Sequence, residues 1–239
     1  MNFWTDGFGQ AWDLVLGREP WLLDLTLTTL KVALLPTLVA FVVGLPIGLA
    51  LGLGRFRGRG VGLVLANAGL GLPPVIVGLF LVLLMFPVGP LGRLHLLFTL
   101  NGVYVAQTVL ALPIIVALSA SAVRDVSPGL LDQARAFGAG RLRVGALATR
   151  EARTGILAAV IAAIGSGLSE VGAVVLVGGN IDGLTQTLAS ATLARVNAAH
   201  WAEAIAIGIV LLGLILVVVA LLTMLQYGRR RPGPPRRAT

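Results

Sequence analysis

Hydrophobic positions along this chain fall in long blocks, with polar residues gathered between them. Apolar residues dominate at about 26–54, 61–86, 100–123, 154–178 and 204–226. Each block has the length, roughly 20 residues or more, that carries an α-helix across about 30 Å of hydrocarbon. None shows the alternation over about 10 residues that a membrane β-barrel strand needs. The pattern predicts an all-α, polytopic membrane protein with about five spans. Residues 26–226 read as a single transmembrane domain, 1–25 as an extracytoplasmic or interfacial segment, and 227–239 as a basic tail.

Charge orients these blocks. Arg55, Arg57 and Arg59 lie between the first two, six arginines lie in 124–153, and five follow Tyr227. The opposite side holds Arg18, Lys31, Arg93 and Arg195. Basic residues gather in cytoplasmic loops, so the N-terminus is expected outside and the C-terminus in the cytoplasm. Five spans agree, because an odd number places the termini on opposite sides. The same rule accounts for the net charge of +8 without nucleic acid. The start of the chain lacks a basic n-region and a small-residue cleavage site, so no removable signal peptide is read.

Composition narrows the chemistry. The chain is 57% hydrophobic and 12% charged, too apolar for an ordinary soluble domain. It has no cysteine, and its two histidines, His95 and His200, are too few to suggest a metal site. Nothing fits Gly-x4-Gly-Lys-Ser/Thr, so the sequence offers no P-loop of its own. Phe3, Trp4, Phe8, Ala11, Trp12 and Val15 share one helical face and suggest a short helix in the outer interface. The Pro- and Arg-rich tail reads as disordered. Pro36, Pro46, Pro73, Pro74 and Pro113 fall inside apolar blocks, where each frees a carbonyl that neighbours or water must satisfy. With 31 glycines, the helices can pack closely.

One segment departs from this pattern. Residues 130–143, LLDQARAFGAGRLR, are basic, small and helical on the cytoplasmic side, within the loop at about 124–153. Ser127 can cap a helix that has Pro128 in its first turn. Leu130, Ala134 and Phe137 then share one face, while Asp132 and Arg135 point elsewhere. Gly138 suits the positive-φ turn that ends it. A second short helix can start after Gly140, with Leu142, Ala146 and Thr149 along one side. Such a hairpin is too short to stand alone. It either docks on a partner surface or lies on anionic lipid.

These residues resemble the EAA loop of permease subunits of ABC importers, Glu-Ala-Ala, three residues, Gly, nine residues, then Ile-x-Leu-Pro. Asp132-Gln133-Ala134 stands for the first triplet, and Gly138 follows Ala134 at the required distance. Gln133 replaces an alanine, and 148–151, ATRE, replaces the terminal Ile-x-Leu-Pro. A second block, residues 165–187, GSGLSEVGAVVLVGGNIDGLTQT, is similar to oxyanion permeases. Its Ser-Glu-Val-Gly-Ala form, the pair Gly178-Gly179 and the preceding Glu151-Ala152-Arg153 look most like tungstate permeases.

The resemblance implies a type I ABC importer permease in the cytoplasmic membrane of a bacterium or archaeon, working as a homodimer. It implies two copies of an ABC ATPase subunit holding ATP and Mg, and an extracytoplasmic substrate-binding protein. It assigns ATPase coupling to Asp132, Gln133, Ala134, Arg135, Phe137 and Gly138. Within the second block, Glu170, Gly172, Gly178, Gly179, Asn180 and Thr185 are the candidates for the translocation path or gate.

Physics adds limits to those roles. Glu170 falls near the middle of span four, where an ionised carboxylate is costly unless paired or wet, so it should face the bundle interior. It would repel an oxyanion, which favours a structural or gating role bonded to Ser, Thr or backbone donors. Gly178, Gly179 and Asn180 either offer bare N–H groups to an anion or form a plain glycine helix stop. The external segments hold six acids against four bases. They form no funnel for anions, so a separate protein should deliver the substrate. Alternative substrates are molybdate, sulfate or another importer cargo. A rival class is a proton-coupled secondary transporter using Glu170, although no internal repeat supports it. A membrane anchor or scaffold is disfavoured by the intramembrane prolines and carboxylate.

Overall fold

Prolines and glycines set where the helices begin, bend and stop. The computed structural model describes residues 19–227, together with Phe8, Gly9, Trp12, Asp13 and Gly17. Most of the expected interfacial segment, and the tail beyond Tyr227, lie outside the described residues. Phe8, Gly9, Trp12 and Asp13 are helical, and from Glu19 to Tyr227 there are ten α-helices and a short 3-10 turn, with no strand. They are α1 (Pro20–Leu53), α2 (Arg59–Gly69), α3 (Pro74–Met85), α4 (Leu100–Arg124), α5 (Pro128–Ala136), α6 (Arg141–Glu151), α7 (Arg153–Ser169), α8 (Gly172–Gly178), α9 (Leu188–Asn197) and α10 (Trp201–Tyr227). The 3-10 turn is Gly92–Leu94.

Three helices, α1, α4 and α10, are long and apolar enough to cross a membrane alone. By length and composition the count reaches five if two bent pairs each form one span: α2 with α3, bent by 104°, and α6 with α7, bent by 70°. The second pair bends at Ala152, so it differs from the expected span four at about 154–178, which runs through α7 and α8. Expected spans one, three and five thus correspond to α1, α4 and α10. Spans two and four are not continuous helices.

Span two breaks between Gly69 and Pro74. Two glycines lead into Pro73-Pro74, and a residue before proline is pushed out of helical geometry. Pro73 has ψ 121°, and its carbonyl accepts the first turn of α3 from Ile76 and Val77. Span four breaks at Glu170, which has ψ 128°. The run GSGLS before it is poor in helix formers. The Ser169 hydroxyl turns back to the carbonyls of Gly165 and Ser166. Glu170 is therefore a junction residue, not a mid-helix one.

The longest interface joins α1 to α4, with small residues at the contact. Ala33, Ala40, Gly44 and Gly48 are buried along one stripe of α1. A Cβ added at Gly44 would lie 3.1 Å from the Ile115 side chain, and one at Gly48 would strike Ser119. Backbones can approach this closely only when one side lacks bulk, which is how helices pack where lipid removes the hydrophobic drive.

The helix α9 was not anticipated. Its signal is a capping box: the Thr187 side chain accepts from Ser190 N, and the Ser190 hydroxyl accepts from Thr187 N. Its start is pinned to α1, where Leu188 N donates to Thr29 Oγ1 at 2.9 Å while Thr29 donates to Leu25 O. Its end is tied to α10 by Arg195 Nε and Glu203 Oε2 at 3.1 Å. Thr29→Val strands the buried Leu188 N–H, which costs about 1–3 kcal/mol. Purified Thr29→Val should therefore melt at a lower temperature than wild type, while Thr29→Ser, which keeps the acceptor, should not.

Candidate functional site

The two broken spans meet. α8, after the Glu170 junction, packs on α3, after the Pro73-Pro74 junction. The contact is backbone-close: a Cβ on Gly78 would lie 2.8 Å from Ala173 Cα. One on Gly172 would lie 2.5 Å from Val75 Cγ2. Ala173, Val174 and Val177 have no exposure, and they are joined by Leu81, Met85, Val103 and Ala106 from α3 and α4. The two short half-helices therefore form one packed block with a non-helical junction at its edge in each chain segment.

Glu170 holds the start of this block. Its Oε1 accepts a hydrogen bond from Ala173 N at 2.9 Å, and the residue is half-buried. A carboxylate on a free N–H of a helix's first turn satisfies that donor and opposes the helix dipole.

At the far end of α8 the chain turns sharply. Gly179 has φ +75° and Asn180 φ +50°. Gly179 N already donates to Val175 O, and Ile181 N donates to Thr185 Oγ1. Thr185 is fully buried and donates to Gly178 O at 2.7 Å. Of the three residues expected either to offer N–H groups to an anion or to stop the helix, Gly179 has its amide engaged, and its positive φ is that of a glycine helix stop. Phe98 closes the turn from outside, its N–H donating to Val177 O and its ring covering Gly179. Two buried atoms have no hydrogen-bond partner among the described residues, Asn180 Oδ1 here and Gln107 Nε2 on α4. Sequence reading passed over Gln107; the signal it offered was an amide inside an apolar span.

At the opposite end of the bundle α5 and α6 form a hairpin. Gly138 has φ +82°, Ala139 N bonds to Ala134 O, and Gly138 N bonds to Arg135 O. That pair of bonds is a Schellman motif and explains glycine at this position. The Ser127 side chain makes no cap bond, which corrects its expected role; Pro128 opens the helix.

The expected apolar faces also shift. Leu131, Val144 and Ala148 are the buried residues, packed on Val123, Ala152 and Ile156. Phe137 and Leu142, placed on those faces by sequence, are 91% and 90% exposed. They flank the Gly138 turn and give the tip an apolar surface. Asp132 and Arg135 pair at 2.6 Å on the exposed side. In water such a pair adds at most about 1 kcal/mol, so it shapes the surface more than it holds the fold.

Comparison with known proteins places this architecture. The family described as binding-protein-dependent transport system inner membrane component matches residues 44–231. A probable anion ABC transporter permease protein of Haloferax volcanii is 40% identical over 89% of this chain and 93% of its own. The tungstate uptake system permease protein TupB of Peptoclostridium acidaminophilum is 29% identical over 95% of this chain and 99% of its own. Among solved structures, a chain of the MetNI methionine ABC transporter in an inward-facing conformation matches with a TM-score of 0.69. It shares 19% identity and covers 88% of this chain and 96% of its own, a likeness of fold.

Proposed function

Because the chain belongs to the family of binding-protein-dependent transport system inner membrane components, we propose that it forms the translocation path of an ATP-driven importer of a metal oxyanion, tungstate first. Membership in this family sets aside the proton-coupled secondary transporter. The observation that carries the mechanism is the hairpin with two almost fully exposed apolar side chains, Phe137 and Leu142, beside the Gly138 turn. Large exposed apolar groups on a short, ordered hairpin suit a protein surface that buries them.

The proposed arrangement is a homodimer in the inner membrane, N-terminus outside and C-terminus in the cytoplasm, with two ATPase subunits below and a binding protein above. ATP and Mg are held by the ATPase. Its closure moves the α5–α6 hairpin, which is packed on the base of α7 through Ile156. α7 leads to the Glu170 junction, so the movement reaches the α3–α8 block as a change at the two non-helical joints. Such joints absorb rotation while the packed block moves as a unit. Glu170 serves here as the cap that keeps α8 formed. It does not bind cargo, because its charge opposes a dianion.

Substrate choice rests on likeness. The 165–187 block and the relative named for tungstate both support tungstate; molybdate is the nearest alternative. No described arginine or lysine lies within the α3–α8 block, so a passing anion meets no fixed cation there. Weak binding along the path suits conduction and leaves selectivity to the binding protein. The test is accumulation in proteoliposomes holding this chain, its ATPase and its binding protein. Tungstate should accumulate only with ATP inside the ATPase compartment. Accumulation driven by a proton gradient without ATP would overturn the proposal.

A further inference from the structure

An open groove of 1320 Å³ lies between the last turns of α1 and the α5–α6 hairpin. Its lining is mixed. Pro46, Leu49 and Leu53 contribute from the final two turns of a helix long enough to span a membrane. Arg55 and Phe56 follow that helix, and Arg141 and Leu142 contribute from the hairpin. The groove's acid, Asp132, is already taken by Arg135. Arg55 and Arg141 have no ion-pair partner among the described residues. The groove therefore brings apolar side chains of a helix long enough to cross a membrane together with two cations that have no ion-pair partner among the described residues.

We infer that this groove is a binding site for an anionic phospholipid, with the phosphate at Arg55 and Arg141 and an acyl chain along Leu49 and Leu53. Three arguments favour that occupant. Its chemistry must join an anionic part to an apolar part, as a phospholipid does. The volume exceeds the roughly 300–1,000 Å³ of typical small-ligand sites, so a free inorganic anion would leave most of it empty. On α1, Val42, Val43 and Ile47 precede or adjoin the groove's apolar residues in sequence and are themselves exposed, which gives a lipid chain a path along the helix. The site sits against the hairpin, so its occupant bridges α1 and the element that carries Phe137 and Leu142. The inference holds whatever the cargo.

The test uses the purified full chain in detergent, titrated with phosphatidylglycerol and phosphatidylcholine of matched chains and followed by native mass spectrometry. Phosphatidylglycerol should bind at least about tenfold more tightly, since each basic group near an anionic lipid contributes a several-fold preference. Arg55→Gln with Arg141→Gln should remove that preference, while the corresponding double lysine variant keeps it. Both arginines are exposed, so these variants fold; unchanged melting temperatures check this. Ala50→Trp, which fills the groove without touching charge, should weaken phosphatidylglycerol binding as well. Equal binding of the two lipids, or an unaltered preference in the double glutamine variant, would overturn the site. Displacement of the lipid by millimolar inorganic phosphate alone would also overturn it, by making the occupant a free anion.

Discussion

Phe137→Asp combined with Leu142→Asp is expected to abolish ATP-driven transport while the membrane domain stays folded. Both side chains are about nine-tenths exposed, so neither supports the protein's own core. Buried at a partner surface, each large apolar side chain contributes about 1.5–3 kcal/mol, and the aspartates add two charges that resist desolvation. The loss in affinity for the ATPase subunit should exceed roughly a hundredfold. Co-purification with the ATPase and melting of the chain alone measure the two halves of this expectation. Gly138→Val acts at the same place by another route. A Cβ there meets nothing within 4 Å, but φ +82° is hostile to a β-branched residue. Its effect should appear as a displaced hairpin tip and a smaller loss of coupling. Normal coupled uptake in the double aspartate variant would show that the hairpin tip is not the docking surface.

Glu170→Ala should reduce transport by tenfold or more, and Glu170→Gln far less. The carboxylate's visible task is to accept from Ala173 N at the start of α8. Alanine leaves that N–H unpaired, at a cost of about 1–3 kcal/mol, in a helix of 7 residues with little else to hold its first turn. Glutamine keeps the acceptor oxygen and loses only the charge. Uptake rates of the two variants at matched expression decide the matter. If both were equally inactive, the charge itself would be required and capping would not be Glu170's role.

Parts of this structure were readable in advance. α1, α4 and α10 follow from apolar length alone, because crossing hydrocarbon demands it. The Gly138 turn followed from the steric freedom of glycine. The breaks in spans two and four were harder. An average over the length of a span stays apolar across Pro73-Pro74 and across the GSGLSE stretch that ends at Glu170, so neither break interrupts its apolar block. Prolines predicted a kink, but at the 104° bend Gly69 also lies so close to α4 that an added Cβ would meet Pro113 at 2.5 Å. The hairpin's buried face was misplaced by one residue, Leu131 in place of Leu130. Adjacent leucines in a helix differ by about 100°, and only the packing on Val123 and Ile156 selects between them. Between an anion cradle and a helix stop at Gly178-Gly179 the sequence could not choose, because it shows a glycine's N–H without showing that Val175 O engages the one at Gly179.

The measurement closest to the central claim is ATP hydrolysis by the reconstituted complex. This chain, its ATPase and its binding protein are placed in liposomes, and hydrolysis is followed with tungstate, molybdate, sulfate and phosphate at low micromolar concentration. Tungstate, alone or with molybdate, should stimulate hydrolysis, and sulfate and phosphate should not. Stimulation by phosphate or by an organic solute, with none from tungstate, would contradict the central claim.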